Sequence, residues 1–289
     1  VKGYRGSYLT AYNNGDYGVY AFDAVDGVLD HSYASGSPDA GFYIGQCYPC
    51  DAIVNNVISE NNGLGYSGTN SGGSLYIISS VFKNNKGGLA PNTLDSELLP
   101  PERETFIIGN LIENNNNIDA PATQSTNLSL GNGVVIAGGN NNVIKNNVIA
   151  NHNLYGVIIT ATADVNYWPA HGNRVESNLI INSKRADIAS SGLSNLGNCF
   201  ENNYFNTSIP PGLQTLNNCD SSFYPLSADL SGMWSSLARV IQTSDGNYSQ
   251  GDWRTFEAPA NQPNMPIMDE LISLGYDKTS LPVTKIWSS

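Results

Sequence analysis

Charged and phenolic side chains that could move protons gather in two parts of this sequence. The phrase "PDAGFY" places Asp39 four residues before Tyr43. The segment "APNTLDSELLPPERET", residues 90 to 105, carries a run of charges: Asp95, Glu97, Glu102, Arg103 and Glu104. Acid–base catalysis needs a proton donor and a proton acceptor held together, with a group that stabilises the charge as it develops. The catalytic candidates are therefore Asp39, Tyr43, Arg103 and Glu104.

Each of these candidates also has a simpler interpretation. Asp39 could cap a turn, because Asp favours turn positions. Residues 90 to 105 could be a solvated charge run, although loops of this length in compact folds are often functional. Both interpretations stay open from the sequence.

The loop "VNYWPAHGN", residues 165 to 173, offers a different chemistry, because Tyr167 and Trp168 present flat aromatic faces. Such faces can stack on neutral sugar rings, and their polar tips find hydrogen-bond partners. The same loop could instead pack on a neighbouring part of the fold. Tyr167 and Trp168 are the ligand-binding candidates.

The sequence predicts no dedicated metal site. The Asp and Asn turns could hold Ca²⁺, but the spacing of an EF-hand is absent. Met is scarce and the three His residues are scattered, which argues against a soft-metal site. We therefore expect no cofactor, with Ca²⁺ as the one ion that the turns could take.

Four Cys residues indicate disulfides. An even number of Cys in a chain poor in Lys and rich in Asn, Ser, Thr and Tyr is typical of an oxidising compartment. The local pairs are Cys47 with Cys50 and Cys199 with Cys219, and we expect both to be bonded. The predicted location is outside the cytoplasm: secreted, periplasmic or on the cell surface.

The bulk composition narrows the classes of partner. The 289 residues carry a formal net charge of -12, and an acidic surface repels nucleic acid and anionic lipid. No apolar run approaches the ~18 residues of a membrane helix. Only 13% of residues are charged and 40% are hydrophobic, which predicts a folded chain with a core. A glycan or another protein is the expected partner.

A repeating architecture must position these candidates. A phrase of Gly or Ala leading into apolar residues recurs at Val19, Phe42, Tyr66, Leu89, Val134, Val157 and Ile188. The first three steps are 23, 24 and 23 residues, and the step from Val134 to Val157 is again 23. The two longer steps indicate insertions. A fixed period of this size predicts a solenoid.

A second phrase, with Asn among Val and Ile, recurs once in each period. Its shared column reads His31, Asn56, Ser80, Asn110, Asn147, Asn178, Asn203. Short β-branched segments separated by Asn and Gly predict strands and tight turns. Stacked coils bury the apolar face that one coil cannot, and each strand then pairs in parallel with its copy in the next coil. We predict a structural ladder of stacked Asn side chains: Asn56, Asn110, Asn147, Asn178 and Asn203.

The pattern "NNVIxxN…GVxI" resembles the right-handed parallel β-helix repeat proteins of the pectate-lyase-like superfamily, over about residues 1 to 206. This resemblance implies an all-β solenoid. Many members of the superfamily are polysaccharide lyases, hydrolases or epimerases, whose chemistry lies on the outward face of one strand ladder. The phrase "SGSPDAGFYIGQ", residues 35 to 46, further resembles a subset of uncharacterised bacterial β-helix repeat proteins. That likeness implies an extracytoplasmic location and no defined reaction.

The outward positions of the strand that follows each Gly can be read directly. If the apolar residue after Gly points inward, its neighbours point outward: Tyr20, Tyr43, Ser67, Ala90, Val135 and Ile158, then Phe22, Gly45, Thr69, Asn92, Ala137 and Thr160. None is Asp, Glu, Lys, Arg or His.

Because this face carries no charged side chain, we expect a binding or scaffolding module, which could be a subunit of a larger surface or periplasmic assembly. The alternative is a carbohydrate-active enzyme, a lyase or an epimerase, with a site built by the insert at residues 90 to 131.

Past Asn206 the repeat stops, and residues 207 to 289 are predicted to form an irregular, partly helical cap and brace. Helix start and stop signals occur at residues 227 to 242 and in "MPIMDELISLGYD". The outward pair Val135 and Ile158 forms a β-branched patch that invites association. We expect part of residues 225 to 275 to cover it with Met233, Trp234, Leu237, Trp253, Phe256 and Ile267. The N-terminal coil shows no cap, so further coils could precede Val1.

Overall fold

The computed structural model describes residues 1–192, 196–220, 238, 240–246 and 248–260. One compact unit spans Val1–Ala258 and a second spans Pro259–Ser289, of which only the first two residues are described. Four of the side chains predicted to brace the solenoid lie outside the described residues: Met233, Trp234, Leu237 and Ile267.

Short β-strands make up most of the described chain. In chain order they are β1 Arg5–Ser7, β2 Thr10–Tyr12, β3 Val19–Phe22, β4 Gly27–Asp30, β5 Tyr33–Ser35, β6 Ala40–Gly45, β7 Ala52–Asn55, β8 Ile58–Glu60, β9 Leu64–Thr69, β10 Gly72–Ile78, β11 Val81–Lys83, β12 Gly87–Asn92, β13 Arg103–Ile108, β14 Leu111–Glu113, β15 Val134–Ala137, β16 Val143–Lys145, β17 Val148–Ala150, β18 Tyr155–Thr160, β19 Thr162–Ala163, β20 Tyr167–Trp168, β21 Arg174–Glu176, β22 Leu179–Ile181, β23 Ala186–Ser191, β24 Cys199–Glu201 and β25 Ser208–Ile209. Two short helices are α1 Gln124–Asn127 and α2 Leu213–Leu216.

These strands stack into three parallel sheets. Sheet A has the order β1-β4-β7-β10-β13-β16-β21-β24, sheet B the order β2-β5-β8-β11-β14-β17-β22, and sheet C the order β25-β23-β18-β15-β12-β9-β6-β3. Each coil contributes in turn to A, B and C, while β19 and β20 form a separate antiparallel hairpin. The chain is a right-handed parallel β-helix: the repeat predicts the stacked coils, and the family resemblance implies their hand.

Sheet C alternates as the sequence predicts. Its inward column, in register from coil to coil, is completely buried in one continuous core: Phe42, Tyr66, Leu89, Val134, Val157 and Ile188. Tyr20 lies beside Tyr43 and Tyr43 beside Ser67, while Val135 lies beside Ile158 and Ile158 beside Ala189 on the opposite face. The period of two residues therefore separates a core face from an outward face.

An Asn ladder runs along the corner between sheets A and B. The backbone N–H and the side-chain amide of Asn110 both donate to Oδ1 of Asn147, at 2.9 and 3.0 Å. Asn147 donates in the same way to Asn178, and Asn178 to Asn203. The second amide hydrogen of Asn147 reaches the Ile107 carbonyl at 2.9 Å. Each buried Asn thus satisfies backbone groups that the turn would otherwise leave without partners.

Similar ladders occupy the other two corners, which the sequence did not predict. Asn62, Asn85 and Asn115 form one between sheets B and C. Asn142, Asn173 and Asn198 form the other between sheets C and A. Since every coil turns three times, each corner has the same need for buried hydrogen-bond partners.

The prediction for Asn56 is wrong by one residue. Asn56 and His31 occupy the position before the ladder, where the backbone is left-handed at φ 53° and 45°. The ladder position in their coils belongs to Val57 and Ser32, because the Val57 N–H donates to Oγ of Ser80 and the Leu9 N–H to Oγ of Ser32. Asn tolerates left-handed backbone, so both positions of an "NN" pair suit it and the pattern cannot separate them.

The C-terminal end of the solenoid is closed by α2. Leu213 is completely buried in the core, and Oε1 of Gln214 accepts the N–H and the side-chain amide of Asn203, both at 2.9 Å.

Both predicted disulfides are present. Cys199–Cys219 links β24 to the segment that follows α2, and Cys47–Cys50 closes the turn after β6. Strand β25 continues sheet C past the predicted boundary at Asn206. A capping role for the rest of residues 207 to 289 stays a prediction.

Candidate functional site

The outward face of sheet C is the floor of a groove of 680 Å³, which we call the groove. Ser67, Ala90, Val135 and Ile158 lie along one row of the floor, and Thr69, Asn92, Ala137 and Thr160 lie along a second. Each row takes one residue from each coil, so the groove follows the solenoid axis. From Asp39 beside β6 to Ser191 in β23 it crosses five strand spacings of ~4.8 Å, or about 24 Å.

The first wall of the groove is residues 94–98, held by Asn70. This completely buried side chain donates to the Leu94 carbonyl at 2.7 Å and to the Glu97 carbonyl at 2.8 Å, and it accepts the Leu94 N–H at 3.1 Å. Gln46 accepts the Leu98 N–H at 2.8 Å. Four hydrogen bonds from two fixed turns therefore fold the wall back over sheet C.

The second wall is residues 117–131, which contain α1. Thr123 caps this helix, and its N–H donates to the Pro38 carbonyl, as does the Thr126 hydroxyl at 2.9 Å. Lys86 ties the wall to the tail, since its ammonium donates to the carbonyls of Ile118 and Ser249 at 2.9 and 2.5 Å. Burial lowers the pKa of Lys86 to about 8. Anchoring on Pro38 brings this wall next to Asp39.

The hairpin of β19 and β20 lines the groove further along the solenoid. Tyr167 is half exposed and lies in the groove lining, whereas Trp168 is partly buried and packs against Gly138. Asp95 of the loop that forms the first wall accepts the Asn166 N–H and side-chain amide at 2.7 and 2.6 Å. The hairpin and the first wall are thus joined. A ligand-binding role for Tyr167 and Trp168 stays a prediction.

Acidic and phenolic groups meet at one end of the groove. The Tyr43 hydroxyl donates to Oε1 of Glu97 at 2.5 Å, and the Tyr43 ring lies 4.8 Å from the Tyr17 ring, centroid to centroid. Tyr17, Asp39 and Glu97 all line the groove. Oε2 of Glu97 is buried without a hydrogen-bond partner among the described residues. We call this region the acidic end.

The carboxyl groups at the acidic end ionise less readily than usual. Burial and the neighbouring Asp16 carboxylate raise the pKa of Asp39 to about 7, although a hydrogen bond from Tyr17 offsets part of the rise. Burial also raises the pKa of Glu97, against the lowering effect of the Tyr43 hydrogen bond. Near neutral pH the Asp39 carboxyl can therefore both donate and accept hydrogen bonds.

The structure separates the four catalytic candidates into two places. Asp39 and Tyr43 lie at the acidic end, but Arg103 and Glu104 lie outside the groove lining. The Arg103 guanidinium stacks on the Tyr48 ring at 3.5 Å, and the Tyr48 hydroxyl donates to Glu104 at 3.0 Å. No Lys or Arg lines the groove within the part of the chain that the structure describes.

The interpretation of residues 90 to 105 as a solvated charge run is wrong. Glu102 is completely buried, where it accepts hydrogen bonds from Thr105 and Asn142 at 2.8 Å, and burial raises its pKa to about 8. Glu97 is brought to the groove by Asn70, which lies 27 residues earlier. The outward columns of sheet C carry no charge, as expected, but the first wall brings the carboxyl group of Glu97 to the groove from outside the repeated strands.

The tail reaches the groove at its rim. Val240 is the one tail residue in the lining among those described, and Thr243 accepts a hydrogen bond from Asn127 at 3.3 Å. Trp253 and Phe256, predicted to cover the Val135 patch, instead lie by the first coil. Trp253 packs on Gly15, and the Phe256 carbonyl accepts a hydrogen bond from Asn13 at 2.6 Å.

The patch of Val135 and Ile158 is largely sheltered by its own neighbours, since Ile158 is 9% exposed within a cluster with Tyr155 and Ala189.

No three His, Cys, Asp or Glu side chains of the described ranges come together as metal ligands would. Within the same ranges, no helix has the length and apolar character needed to cross a lipid bilayer.

The comparisons with known proteins find similarity to solved structures only, and at low sequence identity. No protein-family model and no curated protein matches the chain. Among solved structures, the A-module of a mannuronan C-5 epimerase from Azotobacter vinelandii is 16% identical with a TM-score of 0.42, covering 71% of this chain and 56% of that one. The enzymatically active domain of tailspike protein 2 of bacteriophage CBA120 is 12% identical with a TM-score of 0.44, covering 71% and 37%. A second such epimerase A-module is 19% identical with a TM-score of 0.37, covering 66% and 58%.

This chain therefore spans less than two thirds of each structure that it resembles. All three are right-handed parallel β-helix proteins. The three stacked parallel sheets make this chain a right-handed parallel β-helix protein as well.

Proposed function

We propose that this protein acts outside the cytoplasm as a glycan-binding module, and that its groove takes an extended, uncharged polysaccharide. The observation that carries the proposal is the groove itself, which runs along the solenoid axis between two anchored walls. Two disulfides suit an oxidising location. A straight groove that crosses several coils fits a linear polymer better than a compact small molecule.

The chemistry of the groove suits sugar rings. Polar side chains on the floor that are partly exposed, from Asn92 and Thr160, can exchange hydrogen bonds with sugar hydroxyls. Apolar side chains between them, such as Ala90 and Val135, can contact the C–H faces of the rings. This mixture of a mainly apolar surface with a few fixed polar groups is typical of ligand sites.

The electrostatics favour an uncharged polymer over a uronate. Elimination or epimerisation beside a uronate carboxylate needs a cation or a metal ion to neutralise it. The described lining contains no Lys or Arg, while Asp39 and Glu97 add negative charge when ionised. A lyase or an epimerase therefore fits this groove less well than a protein that binds neutral glycans. Binding of a protein partner or membership of a larger assembly stays a prediction.

Glycan binding can be tested by blocking the groove. Ala137 is a partly buried floor residue, so Ala137→Trp would place a large side chain in the ligand's path. We expect the wild-type protein to bind one or more neutral polysaccharides on a glycan array, and Ala137→Trp to weaken that binding by at least about tenfold, as measured by calorimetry. Val148→Trp is the matched control, because Val148 is 40% exposed on sheet B. Equal binding by both variants would place the glycan elsewhere, and no binding by the wild type would overturn the proposal.

One observation favours a second function, hydrolysis of the bound glycan. Hydrolysis needs two carboxyl groups of different protonation at the scissile bond, and Asp39 and Glu97 both line the acidic end. Asp39, with a pKa of about 7, is the candidate proton donor. We expect new reducing ends from a bound polysaccharide, and loss of this activity in Asp39→Asn with binding retained. A bound polysaccharide that stays intact during long incubation would leave binding as the function, and an absorbing unsaturated product would indicate a lyase instead.

A further inference from the structure

Four aromatic side chains stack on one another beside the acidic end. The Tyr20 ring lies 4.6 Å from the Tyr17 ring, 4.8 Å from the Tyr43 ring and 5.8 Å from the Phe22 ring, between centroids. Tyr20 and Phe22 are almost parallel, with an interplanar angle of 6°. We call this cluster the aromatic platform, and it consists of Tyr17, Tyr20, Phe22 and Tyr43.

The platform combines an exposed part with a fixed part. Tyr43 is 1% exposed and its hydroxyl is held by Glu97, so it forms a rigid base. Tyr20 and Phe22 are 51% and 37% exposed on the outward face of β3. Large aromatic faces in open solvent cost free energy unless something covers them.

The platform continues the groove and is surrounded by carboxyl groups. Tyr17 belongs to the platform and to the groove lining, since it stacks on Tyr20 and lines the groove. Burial, and then the charges of Glu97, Asp16 and Asp39, raise the pKa of the Tyr20 hydroxyl. All three carboxyl groups therefore lie within electrostatic range of this ring. A ligand on the platform would meet aromatic faces below and hydrogen-bond acceptors at its edge.

Resting on the proposed function, we infer that the aromatic platform is an additional subsite of the groove, at which an uncharged pyranose ring of the bound polysaccharide stacks on Tyr20. A pyranose has an apolar C–H face and a rim of hydroxyl groups. Its face matches the Tyr20 ring, and its hydroxyl groups match the carboxyl groups of Asp16 and Asp39. A uronate at the same place would bring its carboxylate beside three carboxyl groups and be repelled by each one that is ionised.

The inference differs from a purely structural role for the platform. If Tyr20 and Phe22 only packed on their neighbours in sheet C, removing the Tyr20 ring would change stability and leave ligand affinity unchanged. If they form a subsite, removing the ring should weaken binding while the solenoid stays folded. The phenol oxygen is not needed for stacking, so Phe at this position should be accepted.

The test uses the full chain and defined hexasaccharides: cellohexaose, xylohexaose and mannohexaose as neutral probes, and hexagalacturonate as the charged probe. Calorimetry should show that Tyr20→Ala weakens binding of the neutral hexasaccharide roughly 3- to 10-fold, because one aromatic stacking contact is lost. Tyr20→Phe should bind like the wild type. Tyr12→Ala is the matched control, since Tyr12 is 48% exposed on β2 of sheet B. Melting curves confirm that each variant is folded.

The outcomes separate the subsite from the groove. Unchanged affinity of Tyr20→Ala, together with lost affinity of Ala137→Trp, would overturn the platform and leave the groove standing. Binding of hexagalacturonate as tightly as the neutral probes would overturn the assignment to uncharged sugars. Failure of all three neutral hexasaccharides to bind the wild-type protein would overturn both proposals.

Discussion

At the corner between sheets A and B, every coil from Ser80 onward contributes Ser or Asn to one position; on the outward face of sheet C, the residue type at one position changes along the solenoid. From Ser80 onward the corner position is buried, and the side chains of Asn110 and Asn147 bond to the backbone and to the Asn of the next coil. The outward face passes from Tyr43 through Ser67 and Ala90 to Val135 and Ile158. Both regions recur once in each coil, but only the corner repeats the same type of side chain.

The difference shows that the corner residues stabilise the solenoid, whereas the outward face of sheet C is free to vary and to form a ligand surface. A corner must satisfy buried backbone groups in each coil, so the same solution recurs. The groove face has no such requirement, and two long loops between Leu89 and Val134, which contain residues 94–98 and 117–131, fold onto it as walls. The acidic end even works against stability, since burial opposes the ionised forms of Asp39 and Glu97.

The largest effect is expected from breaking the ladder at Asn147. In Asn147→Ala, the amide of Asn110 and its backbone N–H lose their acceptor, and the Ile107 carbonyl loses a donor. Buried groups without partners cost ~1–3 kcal/mol each, partly relieved by relaxation, so the free energy of unfolding should fall by about 3 kcal/mol. Urea titration measures this.

Asn153→Ala is the matched control for the ladder, because Asn153 is exposed in a turn of the next coil segment. It should change the free energy of unfolding by less than about 0.5 kcal/mol. Equal losses in the two variants would mean that Asn residues act through turn propensity alone, and the contrast between corner and groove would lose its basis.

A smaller effect of opposite sign is expected at the acidic end. Because the pKa of Asp39 rises from 3.8 when unfolded to about 7 when folded, the native state binds the proton more tightly. Wild-type stability should therefore fall as pH rises from about 4 to 7. About three pKa units correspond to ~4 kcal/mol, and because Asp39 is only partly buried we expect about half of this. Asp39→Asn carries no charge, so it should exceed the wild type by about 2 kcal/mol at pH 8, with little difference below about pH 4.

Melting temperatures across this pH range give the Asp39 result directly. Asp23→Asn, at an exposed left-handed turn of the same end of the solenoid, serves as the control and should follow the wild-type curve. An Asp39→Asn variant less stable than the wild type at pH 8 would show that the ionised carboxylate is well compensated, and the acidic end would then resemble a structural site.

The smallest effect is expected from extending the ladder into its gap. Val57 occupies a ladder position but offers no acceptor, and it is 1% exposed in the core. Val57→Asn would lose apolar burial and gain hydrogen bonds to the turn, so the free energy of unfolding should fall by no more than about 1 kcal/mol. Val57→Ala, which makes only the first change, should cost about 2 kcal/mol in urea titrations. If the Asn variant is as unstable as the Ala variant, an Asn at position 57 does not form the hydrogen bonds that Asn forms in the later coils.

Much of the fold was available from the periodicity. The recurring apolar positions of sheet C, from Phe42 to Ile188, point inward as predicted, since one period of sequence becomes one coil of structure. The position of Asn56 was not available to better than one residue. An Asn pair suits both a left-handed turn and a buried ladder, and only the hydrogen bonds of Val57 decide which residue lies in which place.

The sequence by itself determined what repeats: the coil length, the inward face, an Asn-rich corner and the local Cys pairs. Each of these rests on neighbours at a constant separation along the chain, so a pattern of residue types contains it. Only the tertiary structure decided the walls and the acidic end. Glu97 reaches Tyr43 across 54 residues because Asn70 binds the backbone of the first wall, and the second wall reaches Asp39 because Thr126 binds Pro38 across 88 residues. These contacts are made once, at separations that no period repeats, and they depend on three-dimensional packing of insertions against coils that are already stacked.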